Sequence, residues 1–304
     1  MASPIMTFNQ HLSNYAAGIM PDVMPLINEA DLFAPRVPVG TNTGTYNTFN
    51  ANNAFTEYDA ARAYGAAAQR IKFGSDVGQF NCSPFALEIP VDEAELPDDA
   101  QAADLVREAK TRTVVTSAAL SHYNRVMGLL VAGVGAVNAR GNWSNANVDP
   151  IGEIDEQILA VWTATGMVPN RIVMDLGAWN LARNNPLTRA RWTGLEAAVS
   201  GDHFRGALLN PEAELRISKA QSSGRFAVAA KAKTPVIGTR CWIMFTSMAP
   251  SQYDPSAAKT FVRTLDMLQG VRTYQEPRAE IVAVDWSADV RIIGNALIRR
   301  IDVT

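Results

Sequence analysis

A polar run at residues 41–53 constrains the fold of this chain more than any other segment. It contains five Asn residues and only two large apolar side chains, those of Tyr46 and Phe49. Because Ser, Thr and Asn form local hydrogen bonds that compete with regular backbone pairing, such a run favours loops and ribbons over helices. A long segment that buries so little of its own surface is either disordered or ordered by something outside its domain. The run therefore predicts an extended segment held by neighbouring subunits.

Length and composition allow a large core and exclude several functional classes. The chain has 304 residues, of which 47% are hydrophobic. Lys and Arg number 27 against 30 Asp and Glu, which gives no support to nucleic-acid binding through a basic face. The two cysteines, Cys82 and Cys241, exclude a disulfide framework and a multi-cysteine metal site. Two possibilities stay open for them: one disulfide bridge, or two reduced thiols. No apolar run reaches the roughly 18 residues that a membrane span requires.

Proline positions predict an extended arm over the first forty residues. Five prolines would interrupt any long helix and leave at most a short amphipathic piece over residues 8–20. They are Pro4, Pro21, Pro25, Pro35 and Pro38. Residues 43–83 are then expected to form a long two-stranded excursion with its tip near residues 60–68. Because a two-stranded ribbon is marginal by itself in water, we expect it to lie on another surface.

The longest helix is predicted over residues 99–131. Asp98 and Asp99 supply a capping side chain and negative charge at the positive end of the helix dipole. Apolar residues then recur at spacings of three and four from Ala102 to Leu130. At 1.5 Å per residue this helix would be roughly 50 Å long. The pattern therefore predicts a spine that crosses the molecule.

A compact segment of mixed elements is predicted after residue 142. Asp149 and Pro150 indicate the start of a helix, which Gly166 ends. The apolar face of this helix is predicted to contain Ile151, Ile154, Ile158 and Trp162. Trp162 and Trp179 are both expected in the core of this segment. Because helices and strands are mixed without regular alternation, the predicted class is α+β.

No pattern in the chain predicts catalysis, a cofactor or a bound metal. The three histidines, His11, His122 and His203, have no metal-ligand spacing to one another or to a cysteine. The Gly-x-Gly at residues 133–135 lacks a third glycine and follows a helix, which argues against a phosphate-binding loop. Seven acidic residues at 92–108 fit a helix-start cluster better than a cation site, because their spacing matches no calcium loop. We therefore expect that the chain is not an enzyme.

Aromatic side chains of the ribbon are the candidate functional residues. The only basic residues of the ribbon are Arg62, Arg70 and Lys72, which are too few for a base-stacking surface. Aromatic residues concentrate at protein–protein interfaces, where they act as anchors. The candidate inter-subunit contacts are Tyr46, Phe49, Phe55, Tyr58, Tyr64 and Phe73.

Two stretches, together with the order of the parts, carry a resemblance to a known family. The first stretch comprises residues 142–144, 149–151, 166–174 and 178–181, and the second comprises 253–261 and 275–276. An arm, a ribbon, a cysteine-containing strand that runs into residues 89–93, a spine helix and a compact mixed domain follow one another in the chain. This series resembles the major capsid proteins of tailed bacteriophages, which have the Hong Kong 97-type fold.

The resemblance implies five structural parts. They are an N-terminal arm (1–42), an extended E-loop (43–83), a peripheral domain (84–142) with the spine helix, an axial domain (143–254), and return strands (255–304) shared between the peripheral and axial domains. The axial domains of such a protein surround the local five-fold and six-fold axes of a shell.

The resemblance also implies a function and a set of partners. The chain is expected to self-assemble, as hexamers and pentamers, into an icosahedral virion shell that encloses double-stranded DNA and contacts it non-specifically. Further expected partners are a portal and, as an option, decoration proteins. Because the arm begins almost at Met1, scaffolding is expected to come from a separate protein or to be dispensable. Synthesis is expected in the host cytoplasm, without a cleaved leader and without membrane contact.

Two alternatives stay open on the sequence. An encapsulin-type nanocompartment shares this fold but encloses protein cargo, and a soluble enzyme could use an unrecognised cleft. The proline-rich arm favours the phage assignment, because encapsulins characteristically begin with a helix.

Overall fold

Six helices and fifteen strands make up the part of the chain that the structure describes. This computed structural model describes residues 7–49, 57, 60–62, 64, 76–137, 141–192, 199–223, 232–263, 268 and 270–304. The helices are α1 (Gln10–Phe33), α2 (Ala100–Gly133), α3 (Pro150–Thr165), α4 (Leu176–Asn184), α5 (Pro186–Ala190) and α6 (Gly201–Gly206). The strands are β1 (Thr7–Phe8), β2 (Arg36–Pro38), β3 (Thr43–Asn47), β4 (Val77–Asn81), β5 (Ser83–Asp92), β6 (Ala136–Val137), β7 (Arg171–Asp175), β8 (Glu214–Ser218), β9 (Gln221–Ser222), β10 (Thr234–Pro235), β11 (Arg240–Met244), β12 (Ala258–Val262), β13 (Val271–Glu276), β14 (Ala279–Ile292) and β15 (Ile298–Asp302).

Two larger sheets organise these strands. The first sheet has the order β1-β13-β14-β12-β2, and β5 also pairs with the long strand β14. The second sheet has the order β6-β15-β11-β7-β8. Two antiparallel pairs stand apart from both sheets, β3 with β4 and β9 with β10. Helices and strands are mixed as predicted, and the class is α+β.

The spine helix is present where the sequence predicts it. α2 has 34 residues, and the Asp99 side chain accepts a hydrogen bond from the backbone N–H of Ala102 at its start. The helix ends at Gly133, and Val134 provides its C-cap. Its buried face packs on α1 and on β5 and β14 of the first sheet. Local capping and apolar spacing were therefore sufficient to place this element.

The prediction of an extended N-terminal arm is wrong for residues 10–33. These residues form α1, a helix of 24 residues that contains Pro21 and Pro25. One apolar stripe of α1 is buried against α2, and it contains Leu12, Ala16, Ile19, Met20, Val23 and Ile27. Proline weakens a helix by removing one backbone hydrogen bond, but burial of a continuous apolar stripe outweighs that local cost here. Between α1 and the ribbon, only Arg36–Pro38 is a strand, and it pairs with β12.

His122 on α2 is a buried titratable side chain with an expected effect on acid stability. It is 1% exposed, and neither ring nitrogen has a hydrogen-bond partner among the described residues. Burial, with the positive charges of Arg36 and Arg125, lowers the pKa of His122 from 6.5 to about 4. Because the pKa of His122 is lower in the folded state than in the unfolded state, its contribution to the free energy of unfolding is fully present above pH 6.5. That contribution is lost as the pH falls from 6.5 towards 4.

We expect the subunit to lose about 2 kcal/mol of unfolding free energy through His122 between pH 7 and pH 5. Denaturant titrations at both pH values should show this loss in the wild type and a smaller one in His122→Leu. His203→Gln serves as the control, because His203 is exposed. Equal pH dependence in wild type and His122→Leu would contradict the assignment.

Helix α3 begins and ends as predicted, but one of its core residues is misplaced. Pro150 occupies the first turn, and Gly166 caps the end with a left-handed φ of 73°. Ile151, Ile154 and Ile158 are buried. The prediction that Trp162 continues this face is wrong, since Trp162 is 50% exposed and Val161 is fully buried in its place.

The second sheet has apolar layers on both faces. On one face, Ile172 and Met174 of β7 pack with apolar residues of α3 and α4. On the other face, Val173 and Trp242 pack with residues of α1 and α2. The ring of Phe33 meets that of Trp242 edge-on, with centroids 5.9 Å apart. The first and second sheets are therefore joined through the helices α1 and α2.

Three further observations apply to the described ranges of the chain. No helix there is both long enough and apolar enough to cross a bilayer. No group of three or more His, Cys, Asp or Glu residues in those ranges is placed to hold a metal ion. Cys82 and Cys241 are separate buried thiols, so the single bridge left open by the sequence is not formed.

Candidate assembly surfaces

The root of the ribbon is built from two aromatic–glycine pairs. Strands β3 and β4 pair so that Phe80 faces Gly44 and Tyr46 faces Gly78. A Cβ atom on Gly44 would lie 2.5 Å from Cζ of Phe80, and one on Gly78 would lie 2.4 Å from Cζ of Tyr46. Each ring therefore occupies the space that a side chain on the opposite strand would need. Such pairing fixes the register of the ribbon.

The same two rings fasten the ribbon to the first sheet. Both stack on Phe261 of β12, with centroid distances of 4.5 Å for Phe80 and 5.2 Å for Tyr46. Asp289 of β14 adds a polar contact, because its Oδ2 accepts a hydrogen bond of 2.7 Å from the backbone N–H of Asn81. The three stacked rings and the carboxylate of Asp289 thus attach the root to the first sheet.

The aromatic residues predicted as inter-subunit contacts differ in how far they are buried within their own chain. Tyr46 is buried within its own chain, so its burial needs no neighbour and the reason for assigning it to an interface no longer applies. Phe49 is half-buried, and its backbone N–H donates to the carbonyl of Ile293. Tyr64 is fully exposed. The candidates Phe55, Tyr58 and Phe73, and most of the predicted tip, lie outside the described residues.

The variant Gly44→Val tests the ribbon root. Its side chain would collide with the Phe80 ring and push it off Phe261, so we expect a loss of about 1–3 kcal/mol of unfolding free energy. Gly40→Ala is the matched control, because a Cβ at Gly40 meets nothing within 4 Å. The measurement is denaturant unfolding of the subunit. Equal stabilities of the two variants would contradict the packing described for the root.

The acidic run at residues 92–108 supplies helix caps and ion pairs. Asp92 and Asp99 accept hydrogen bonds from backbone N–H groups at the starts of helical turns. Glu95 pairs with Lys110 at 2.7 Å, and Asp104 pairs with Arg107 at 3.0 Å. The prediction of a helix-start cluster is confirmed.

Lys259 on β12 is a buried cation that the sequence reasoning missed. Its side chain is fully buried, and Nζ donates to the backbone carbonyls of Ser251 and Asp254 at 2.7 and 2.6 Å. Nζ also lies 3.1 Å from Oδ1 of Asp254. This network fixes a loop from which Met248 and Tyr253 project into solvent. A lysine in an otherwise apolar strand pattern is the signal that could have indicated it.

Four exposed apolar side chains form a surface at the end of α3, named here the Trp162 patch. Its members are Leu159, Trp162, Val168 and Leu209, which are between 44% and 58% exposed. The turn that carries Leu209 lies along α3, because its backbone N–H donates to Oδ1 of Asp155 at 2.7 Å. The next residue, Asn210, donates its amide to the carbonyl of Pro169 at 2.9 Å. Contiguous exposed apolar surface of this kind marks interaction sites.

Solved structures resemble this chain over its whole length, although no family model and no curated protein sequence matches it. A phage-related protein from Bordetella bronchiseptica RB50 is 21% identical, with 98% of both chains covered and a TM-score of 0.72. A putative prophage capsid protein from E. coli CFT073 is 10% identical, with 99% of this chain and 100% of that chain covered and a TM-score of 0.57. The encapsulin of the holo-SrpI complex from Synechococcus elongatus PCC 7942 is 14% identical, with 100% and 92% covered and a TM-score of 0.56. The chain therefore has the Hong Kong 97-type fold of phage capsid proteins.

Proposed function

We propose that this chain is the major capsid protein of a tailed bacteriophage and builds the shell around its double-stranded DNA. The observation that carries the proposal is the full-length similarity of fold to a phage-related protein, at a TM-score of 0.72 with 98% of both chains covered. The role is structural rather than enzymatic. The partners are other copies of the chain, in hexamers and pentamers, with a scaffolding protein, a portal, packaged DNA and, as an option, decoration proteins.

The ribbon root supports this proposal physically. The backbone N–H of Thr48 donates to the carbonyl of Asp76 at 2.8 Å, so both ends of the intervening segment leave the root together. The sequence of that segment starts with the end of the polar run, which includes Asn50, Asn52 and Asn53. A segment that starts with polar residues and leaves from a packed root suits contact with a neighbouring subunit. We retain residues 43–83 as the E-loop, residues 143–254 as the axial domain, and Phe49 and Tyr64 as inter-subunit contacts.

A nanocompartment shell of the encapsulin type is the second candidate, and one observation favours it. Residues 10–33 form the helix α1 rather than an extended arm, so the argument from a proline-rich arm for a phage over an encapsulin no longer applies. The phage assignment now depends on the TM-scores, which are 0.72 for the phage-related protein and 0.56 for the encapsulin.

The contents of native particles test the proposal. Particles purified from the native source are treated with nuclease, and the protected nucleic acid and the co-purifying proteins are then measured. We expect protected double-stranded DNA, with this chain as the main protein. Particles that contain a second protein and no DNA would support the nanocompartment instead. A chain that is recovered only outside particles would contradict both assignments.

A further inference from the structure

The loop between β11 and β12 contains a peptide bond whose carbonyl oxygen is bound by a buried cation. The bond joins Asp254 to Pro255. Nζ of Lys259 donates to the backbone carbonyl oxygen of Asp254 at 2.6 Å, and the Lys259 side chain is fully buried. A positive charge polarises a carbonyl group more strongly where little water surrounds it, because the local dielectric is low. The carbonyl carbon of Asp254 is therefore more open to nucleophilic attack than that of an ordinary peptide bond.

The same ammonium also holds the side-chain carboxylate of Asp254. Nζ lies 3.1 Å from Oδ1. The backbone N–H of Ser251 donates to Oδ1, and Oγ of Ser256 donates to Oδ2 at 2.9 Å. Burial raises the pKa of Asp254, but hydrogen bonds from Ser251 and the charge of Lys259 bring that pKa below its usual value. An ionised nucleophile and its target carbonyl group thus lie on one cation, an arrangement that favours their reaction.

The other two requirements for breaking this bond are a leaving group and water. The nitrogen of Pro255 carries no hydrogen and belongs to a tertiary amide, which takes up a proton more readily than a secondary amide. Water reaches the bond from the loop side, since the Asp254 side chain is 15% exposed and Ser251 and Tyr253 are exposed beside it.

We propose that the folded chain cleaves its own backbone between Asp254 and Pro255. A carboxylate oxygen of Asp254 attacks the carbonyl carbon of the same residue, which closes a cyclic anhydride and breaks the C–N bond to Pro255. One water molecule completes the reaction: its proton goes to the nitrogen of Pro255, and its hydroxide opens the anhydride to two carboxyl groups. Lys259 stays protonated and stabilises the negative charge that develops on the carbonyl oxygen. The products are residues 1–254 and residues 255–304, with a combined mass one water larger than that of the intact chain.

Cleavage at this bond leaves the fold in place. In the C-terminal product, β12 pairs with β14 and with β2, and β15 pairs with β11. That product therefore remains part of both larger sheets, and the two products separate only when the protein is denatured.

A second Asp–Pro bond in the same chain provides an internal control. Asp149 precedes Pro150 at the start of α3. Its backbone carbonyl accepts a hydrogen bond from the neutral backbone N–H of Glu153, and its carboxylate pairs with Arg191 at 2.6 Å. The two bonds share the intrinsic chemistry of an Asp–Pro pair, but of the two only the bond at Asp254 has an ammonium on its carbonyl oxygen.

Mass spectrometry of the purified full chain, held at neutral pH for several days, tests the proposal. We expect the two predicted products, with the bond at Asp254 cleaved at least about tenfold faster than the bond at Asp149, because a donor on the reacting oxygen commonly contributes that much or more. The same chain kept in denaturant should cleave both bonds slowly and at equal rates.

Two variants separate the contributions of the cation and the leaving group. Lys259→Met removes the ammonium but keeps a similar volume, and it should slow cleavage at Asp254 by at least about tenfold. Pro255→Ala should also slow cleavage, because a secondary amide nitrogen leaves less readily. Circular dichroism checks that each variant is folded, and if Lys259→Met is not, Pro255→Ala and the comparison with Asp149 decide.

Three results would overturn the proposal: an intact folded chain, equal cleavage of the two Asp–Pro bonds in the folded chain, or wild-type cleavage in folded Lys259→Met. Because the reaction takes place within one chain, none of these results depends on whether the chain forms a shell.

Discussion

Replacing Trp179 by Ala should lower the free energy of unfolding of the subunit by about 3–5 kcal/mol. The side chain is 6% exposed, and its ring meets that of Phe204 edge-on with centroids 5.3 Å apart. Truncation would leave a cavity between α4 and α6, on the face of the second sheet that packs against α3 and α4. Insoluble or unassembled protein is the expected consequence in cells.

The matched control for this prediction is Trp162→Ala. It removes the same side chain from a neighbouring helix, but at a position that is 50% exposed. An exposed substitution of this kind should change the free energy of unfolding by no more than about 0.5 kcal/mol. Denaturant unfolding of both variants, followed by circular dichroism, gives the comparison. Equal losses would mean that the face of α3 is assigned incorrectly.

Replacing Asp254 by Ala should also destabilise the subunit by about 3–5 kcal/mol, because it leaves the ammonium of Lys259 buried without its counter-charge. Burial lowers the pKa of Lys259, and the carboxylate of Asp254 opposes that shift. Burial alone would raise the pKa of Asp254, but hydrogen bonds from Ser251 and the charge of Lys259 bring it below its usual value. Each partner therefore keeps the other charged.

A double-mutant cycle separates the ion pair from the packing around it. Lys259→Met removes the charge but keeps a similar apolar volume, so it should change stability by less than about 1.5 kcal/mol. Lys259→Met/Asp254→Ala should regain most of the loss caused by Asp254→Ala alone. Additive effects of the two substitutions would show that the pair is not coupled, contrary to its geometry.

The sequence predicts the elements that depend on neighbouring residues. Asp99 caps α2, and Gly166 ends α3 in a left-handed conformation that glycine adopts without strain. These signals act over three or four residues, so they can be read from a single chain. The α+β class and the shell-type fold follow from the order of such elements.

The elements that the sequence predicts incorrectly depend on contacts between distant residues. The helix α1 persists through Pro21 and Pro25 because its apolar stripe is buried on α2, which lies far away in sequence. A strongly apolar residue one position away from a buried stripe, such as Trp162, cannot be assigned to the core or the surface by spacing alone. For the same reason, only the register of β3 with β4 shows that Tyr46 covers Gly78.

Electron microscopy of the assembly purified from its native source tests the central claim most directly. If the chain is a shell protein, the images will show closed particles of uniform diameter, and averaged views will show rings of five and six copies. If the chain remains a monomer or a small open oligomer at every concentration and salt condition, the shell function is contradicted.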